Sequence, residues 1–143
     1  MYSQHLLTAV RCREGTLMIT RILIAGDNDI ARIRLTALIQ SHDYWDVCAL
    51  AENGQKAVLK AIELKPDVII LDLAMPVMDG LSAAREIGKV LPSIPIVLYT
   101  RHNFPTELET KAAGIRKVVS KPGTDALFGV IEEVLRVRPQ APA

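Results

Sequence analysis

Pro66-Asp67-Val68-Ile69-Ile70-Leu71-Asp72-Leu73-Ala74-Met75-Pro76-Val77-Met78-Asp79-Gly80 is the stretch that decides the fold. Four consecutive apolar residues, Val68 to Leu71, lie between Pro66 and a loop bearing Pro and Gly, the pattern of a short strand buried on both faces of a sheet. Such a strand delivers Asp72 to its carboxyl end, where a carboxylate stays within reach of solvent above a rigid backbone. The carboxyl ends of strands are where open α/β sheets place their ligands. An Asp there can also simply begin a turn through side-chain-to-backbone hydrogen bonds, so its neighbours carry the assignment.

Outward from this stretch, strands alternate with helices. Upstream, Arg21 to Ala25 is a short apolar strand, and Asp29 to His42 follows as a helix with Ile30, Ile33, Leu35, Leu38 and Ile39 at mostly helical spacing. Asp46 to Ala51 reads as a second strand, and Gln55 to Leu64 as a helix carrying Ala57, Val58, Ala61 and Ile62. Downstream, Gly80 to Leu91 is a helix stopped by Pro92, Ile94 to Tyr99 a strand leading to Thr100, and Pro105 to Ala113 a helix ended by Gly114. Ile115 to Val119 and a final helix from Thr124 to Val137, with Leu127, Ile131, Val134 and Leu135 inward, complete five βα units. This alternation predicts an α/β doubly wound fold, a five-stranded parallel sheet with helices on both faces.

Composition limits the function classes. A chain of 143 residues with 50% hydrophobic content can bury one substantial core, so one domain is expected over residues 20–137. Residues 1–19 are expected to be a disordered N-terminal extension, with Met18 a candidate natural start, and residues 138–143 a frayed tail. Lys plus Arg (17) nearly balances Asp plus Glu (16), and no segment gathers basic residues, which argues against direct DNA binding. No apolar run approaches the length of a membrane span or a signal-peptide core, so no membrane association and a cytoplasmic location are expected. Cys12 and Cys48 lack companions at metal-ligand spacing, and His5, His42 and His102 form no ligand set. Gly-rich phosphate loops and nucleophile elbows are absent as well.

Residues 72–80, Asp-Leu-Ala-Met-Pro-Val-Met-Asp-Gly, resemble the phospho-acceptor loop of bacterial two-component response-regulator receiver domains, Asp-x-x-Met-Pro-x-Met-Asp-Gly, with every fixed position present. The similarity covers about residues 20 to 137 and implies the flavodoxin-like strand order 2-1-3-4-5, as in single-domain chemotaxis receivers. It implies Asp72 as phospho-acceptor, Mg²⁺ held by Asp27, Asp72 and the backbone carbonyl of Ala74, and Thr100 and Lys121 as the groups that contact phosphoryl oxygens. In this family the Lys121-Pro122 bond is expected to be cis. The chemistry agrees: in-line transfer to a carboxylate needs a hard divalent cation to offset charge, and a hydroxyl and an ammonium on the other phosphoryl oxygens.

Five positions depart from the family pattern or modulate it. Receivers usually carry two adjacent acids after the first strand, and here Gly26 precedes Asp27. The missing acid holds metal-bound water in the family, so weaker Mg²⁺ binding is expected. Val118 stands where many receivers have Tyr or Phe, and the simple account is a β-branched residue of a buried strand. Arg101 follows Thr100 at a place usually filled by a small residue, and His102, like Ala74, occupies a position that tunes self-dephosphorylation in the family.

The resemblance implies a stand-alone response regulator, not an enzyme. A sensor histidine kinase or histidine phosphotransfer protein would phosphorylate it, and a downstream protein would read the change through helix four, strand five and helix five. A monomer or weak homodimer is expected. Gly26 and Val118 keep open a second reading, a phosphorylation-independent pseudo-receiver that acts as a protein-interaction module. A haloacid-dehalogenase-type phosphohydrolase is disfavoured, because the general acid two residues after its nucleophile would be Ala74, which cannot transfer a proton.

Overall fold

A strand without polar side chains must be covered on both faces, and all four residues of Val68–Leu71 are buried. The computed structural model describes residues 12–13, 16–17, 19–101 and 104–137. Its main sheet contains β1 (Thr20–Ala25), β2 (Trp45–Ala51), β3 (Val68–Leu71), β4 (Ile96–Thr100) and β5 (Lys117–Ser120). Between and after them lie α1 (Asp29–Gln40), α2 (Gly54–Leu64), α3 (Gly80–Val90), α4 (Glu107–Ala112) and α5 (Thr124–Val137). The strands pair in the order β2-β1-β3-β4-β5, every pair parallel, which is the expected 2-1-3-4-5 sheet. Two two-residue strands, Cys12–Arg13 and Thr16–Leu17, pair antiparallel apart from it. The rest of the expected N-terminal extension up to Met18, and the tail 138–143, lie outside the described residues.

Successive strand side chains point to opposite faces, so the sheet feeds two cores. Leu23, Ala25, Ile69, Leu71, Ile96 and Leu98 meet Ala57 and Ala61 of α2 and Ala83, Ala84 and Ile87 of α3. Ile22, Ile24, Val68, Ile70, Val97 and Val119 meet Leu35 and Ile39 of α1 and Leu127, Ile131 and Val134 of α5. The small residues of α2 and α3 let those helices lie close to the strands. Burying each large aliphatic side chain is worth about 1.5–3 kcal/mol.

The main departure from expectation is in α1. Of its five apolar residues only Leu35 and Ile39 are buried, whereas Ile30, Ile33 and Leu38 are 62%, 64% and 44% exposed. The helix carries more apolar residues than one stripe can hold, and it turns the row through 32, 35 and 39 to the sheet. Ile62 of α2 is likewise 40% exposed. Strand β4 begins at Ile96 rather than Ile94, because the Ile94 N–H closes a turn on the Leu91 carbonyl. Helix α4 starts at Glu107 rather than Pro105, since Thr106 and Glu109 form a capping box. Val118 is not buried: it is 37% exposed on the edge strand β5, whose inward residue is Val119.

Candidate functional site

Asp72 follows β3 directly, and its side chain is 18% exposed. Lys121 Nζ lies 2.9 Å from Asp72 Oδ2, and the Leu73 N–H donates to Oδ1 at 2.7 Å, so both carboxylate oxygens are held. The ammonium also stands 5.5 Å from the centre of the Tyr99 ring, a cation–π contact that seats its stem. Lys121-Pro122 is cis, as expected. The Lys121 N–H donates to the Thr100 carbonyl at 2.8 Å, tying the end of β4 to the residue that reaches Asp72.

The loop after Asp72 is pinned at three points. The Met78 N–H closes a γ-turn on the Pro76 carbonyl at 2.7 Å and forces Val77 to φ 70°, a region a β-branched residue rarely adopts. The Met78 carbonyl accepts from the Gly54 N–H at 2.9 Å, and the Leu73 carbonyl accepts from the Gly80 N–H at 2.8 Å. Both glycines are required by close approach: a Cβ at Gly54 would lie 2.2 Å from the Met78 oxygen, and one at Gly80 2.3 Å from the Asp72 oxygen. Asp79 accepts from the Ser82 N–H at 2.8 Å as N-cap of α3. The motif residues other than Asp72 thus serve to hold the backbone beneath it, and Met75 and Met78 pack on the α2/α3 core.

Beside Asp72, Ala25 and Leu71 are paired in register, so Asp27 and Asp72 emerge from neighbouring strand ends. Asp27 and Ala74 are exposed on this edge, and Gly26 is buried. Among the described residues no three His, Cys, Asp or Glu side chains cluster as a metal site. The oxygen donors that could hold an ion are the Asp27 and Asp72 carboxylates and the Ala74 carbonyl. That hard, oxygen-only set fits Mg²⁺, which keeps several waters and binds through one or two carboxylates.

Thr100 is 3% exposed at the end of β4, opposite Ser120 of β5. Arg101 is exposed and lines, with Asp72, Lys121, Arg32 and Tyr99, a cavity of about 170 Å³. Asp72, Lys121 and Arg101 therefore meet in one pocket, Val118 lies on the outer strand, and His102 lies outside the described residues. The pocket residues Arg32, Arg34 and Tyr99 were not anticipated from sequence. The signal for Arg32 was its place three residues before Leu35 on the inward row of α1; Tyr99 carried none beyond its strand position.

The family model for the response regulator receiver domain matches residues 22–132. The chain is 41% identical over 80 residues to the transcriptional regulatory protein LnrK of Bacillus subtilis, a match spanning 56% of this chain and 36% of LnrK. It thus spans about a third of the length of that relative. Among solved structures, the response regulator domain of Thermotoga maritima CheB superimposes with a TM-score of 0.77 at 28% identity, covering 85% of this chain and 99% of that one. The response regulator TrrA of Thermotoga maritima gives 0.74 at 28% identity over 81% and 99% of the two chains. With its parallel sheet in the order β2-β1-β3-β4-β5 and an intact loop over residues 72–80, the chain belongs to the response regulator receiver domain family.

Proposed function

We propose that this receiver accepts a phosphoryl group on Asp72 from a phosphohistidine of a sensor histidine kinase or histidine phosphotransfer protein, with Mg²⁺ held by Asp27, Asp72 and the Ala74 carbonyl. The observation that carries the reading is the approach of Lys121 Nζ to within 2.9 Å of Asp72 Oδ2 above a pinned loop. An Asp72 oxygen attacks phosphorus as the phosphorus–nitrogen bond of the donor breaks, and the departing imidazole nitrogen keeps the electron pair and takes a proton from water. Mg²⁺ held by these oxygens would offset the negative charge of the carboxylate and the phosphoryl group. Lys121 moves with its partner oxygen onto the phosphoryl group, and the Thr100 hydroxyl donates to a second phosphoryl oxygen. The response regulator TrrA, solved in complex with Mg(2+)-BeF, supports this use of the shared fold.

The output is a change in affinity for a protein partner. Leu108 (79% exposed), Phe104 (50%) and Val118 (37%) give the side formed by α4 and β5 an apolar surface suited to that role. Near-balanced charge favours a protein over DNA as the direct partner of this domain. The location of such a pathway component is the cytoplasm. Gly26 favours the pseudo-receiver as second reading, because it removes one of the two acids usual beside the acceptor.

The test is incubation with Mg²⁺ and acetyl phosphate, followed by intact mass. One Mg²⁺-dependent phosphoryl adduct is expected, and none in Asp72→Asn, which keeps the shape and loses the nucleophile. Equal labelling of the Asn variant would displace Asp72 as acceptor. A native chain that no small donor or kinase labels would put the pseudo-receiver first.

A further inference from the structure

Helix α1 turns one charged side chain toward the sheet. Its buried residues are Leu35 and Ile39, and Arg32 stands three positions before Leu35 on the same face. The Arg32 side chain is only 14% exposed. Its guanidinium donates to the Gly26 carbonyl and to the Asp29 carboxylate, so the head is fastened at the β1–α1 loop instead of extending into water.

Gly26 leaves an open space between this side chain and the acceptor. A Cβ built on Gly26 would stand 4.0 Å from Arg32 Cγ and 3.9 Å from Asp72 Oδ2, so no side chain separates the stem of Arg32 from the carboxylate. Arg32, Asp72 and Lys121 line the same cavity. Asp29 offsets the charge of Arg32 weakly, because its own side chain is 80% exposed and water screens it. An acid at position 26 would pair with Arg32 from inside the pocket. Glycine leaves that charge at the pocket wall without a carboxylate partner inside the pocket. Arginine suits the task because its planar fork bonds the Gly26 carbonyl and Asp29 together, which a lysine cannot do with the same geometry.

We propose that Arg32 is a further cation of the Asp72 site, alongside Lys121 and Arg101, whose field favours the phosphoryl oxygens and opposes Mg²⁺ across the space that Gly26 leaves. The inference rests on the reading of Asp72 as phospho-acceptor, and it makes Arg32 a positioning residue whose charge takes over part of the metal's task. This receiver then binds Mg²⁺ more weakly than a two-acid site, and its anion binding depends less on the metal.

The test uses the native chain, Arg32→Gln and Arg32→Lys. Mg²⁺ alone is titrated by calorimetry at fixed ionic strength, and the phosphoryl mimic beryllium trifluoride is then titrated at one Mg²⁺ occupancy. Arg32→Gln should bind Mg²⁺ roughly fivefold more tightly and the mimic roughly fivefold more weakly, the scale of unit charges several ångströms apart in a partly solvated pocket. Arg32→Lys, which keeps the charge but not the fork, should fall between native and Arg32→Gln in both. A structural role alone would weaken both together. Unchanged or weaker Mg²⁺ binding by Arg32→Gln overturns the proposal, as does a Lys variant that behaves like Gln. In the native chain the Arg32 Nε–H resonance should shift on Mg²⁺ saturation, and an unmoved resonance counts against the proposal even where the Gln variant does not fold. An unlabelled native chain refutes the acceptor role of Asp72. A labelled native chain, with an Arg32→Gln variant that binds Mg²⁺ no more tightly, refutes the role of Arg32 alone.

Discussion

Two glycines flank Asp72 and answer opposite questions. At Gly26 a Cβ would meet its nearest neighbours at 3.8–4.0 Å, ordinary contact distances, so an aspartate fits. Gly26→Asp should strengthen Mg²⁺ binding about fivefold, on the order of 1 kcal/mol for one regained acceptor of metal-bound water; the new carboxylate would also face Arg32 and lower the opposing charge. Calorimetric titration checks this, and equal or weaker binding would show that the loop does not use a water-holding acid. At Gly80 a Cβ would stand 2.3 Å from the Asp72 carbonyl oxygen, which is backbone and cannot swing away. Gly80→Ala should cost roughly 1–3 kcal/mol by urea denaturation and displace the acceptor. That Gly80 belongs to the motif was legible in the sequence; that its hydrogen atom faces the Asp72 carbonyl was not, because only the folded loop brings the two together.

Among the elements, strand β3 and helix α5 have the limits read from the sequence, since a continuous apolar run and a regular inward stripe each admit one assignment. Helix α1 shows where pattern runs out. Ile30, Ile33, Leu35, Leu38 and Ile39 surround much of a helix, and which of them face inward depends on how the helix is rolled on the sheet. Ile39 is fully buried and Ile33 is 64% exposed. Ile39→Ala should therefore cost about 2–5 kcal/mol of unfolding free energy and Ile33→Ala less than about 0.5. Chemical denaturation of both variants tests the roll directly, and similar losses would place Ile33 in the core as well. The same roll sets Arg32 on the inward row, so the position of that cation was decided by packing rather than by any motif.

For the whole molecule, one sheet joins two cores that share no helix. Trp45 reports on the α1/α5 core: it is 2% exposed, stacked on His42 at 3.7 Å between ring centres and edge-on to Phe128 at 5.3 Å. Ile69 and Ile70, adjacent on β3, are buried in different cores, so loss of either core exposes the strand that supports the other. Unfolding followed by Trp45 fluorescence should coincide with the loss of far-UV circular dichroism in one cooperative transition. Separate midpoints would mean that the two layers melt independently.

The sequence by itself determined the alternation of strands and helices, the doubly wound class and the identity of the loop that holds Asp72. These follow from local periods and from a motif whose residues are near one another along the chain. The contact of Lys121 with Asp72 joins residues 49 positions apart, and the company of Arg32, Tyr99 and Asp72 in one cavity joins α1, β4 and the end of β3. Only the tertiary structure decided these. They depend on strand register and helix roll, which minimise exposed apolar area over the whole sheet and leave no periodic trace in any one segment.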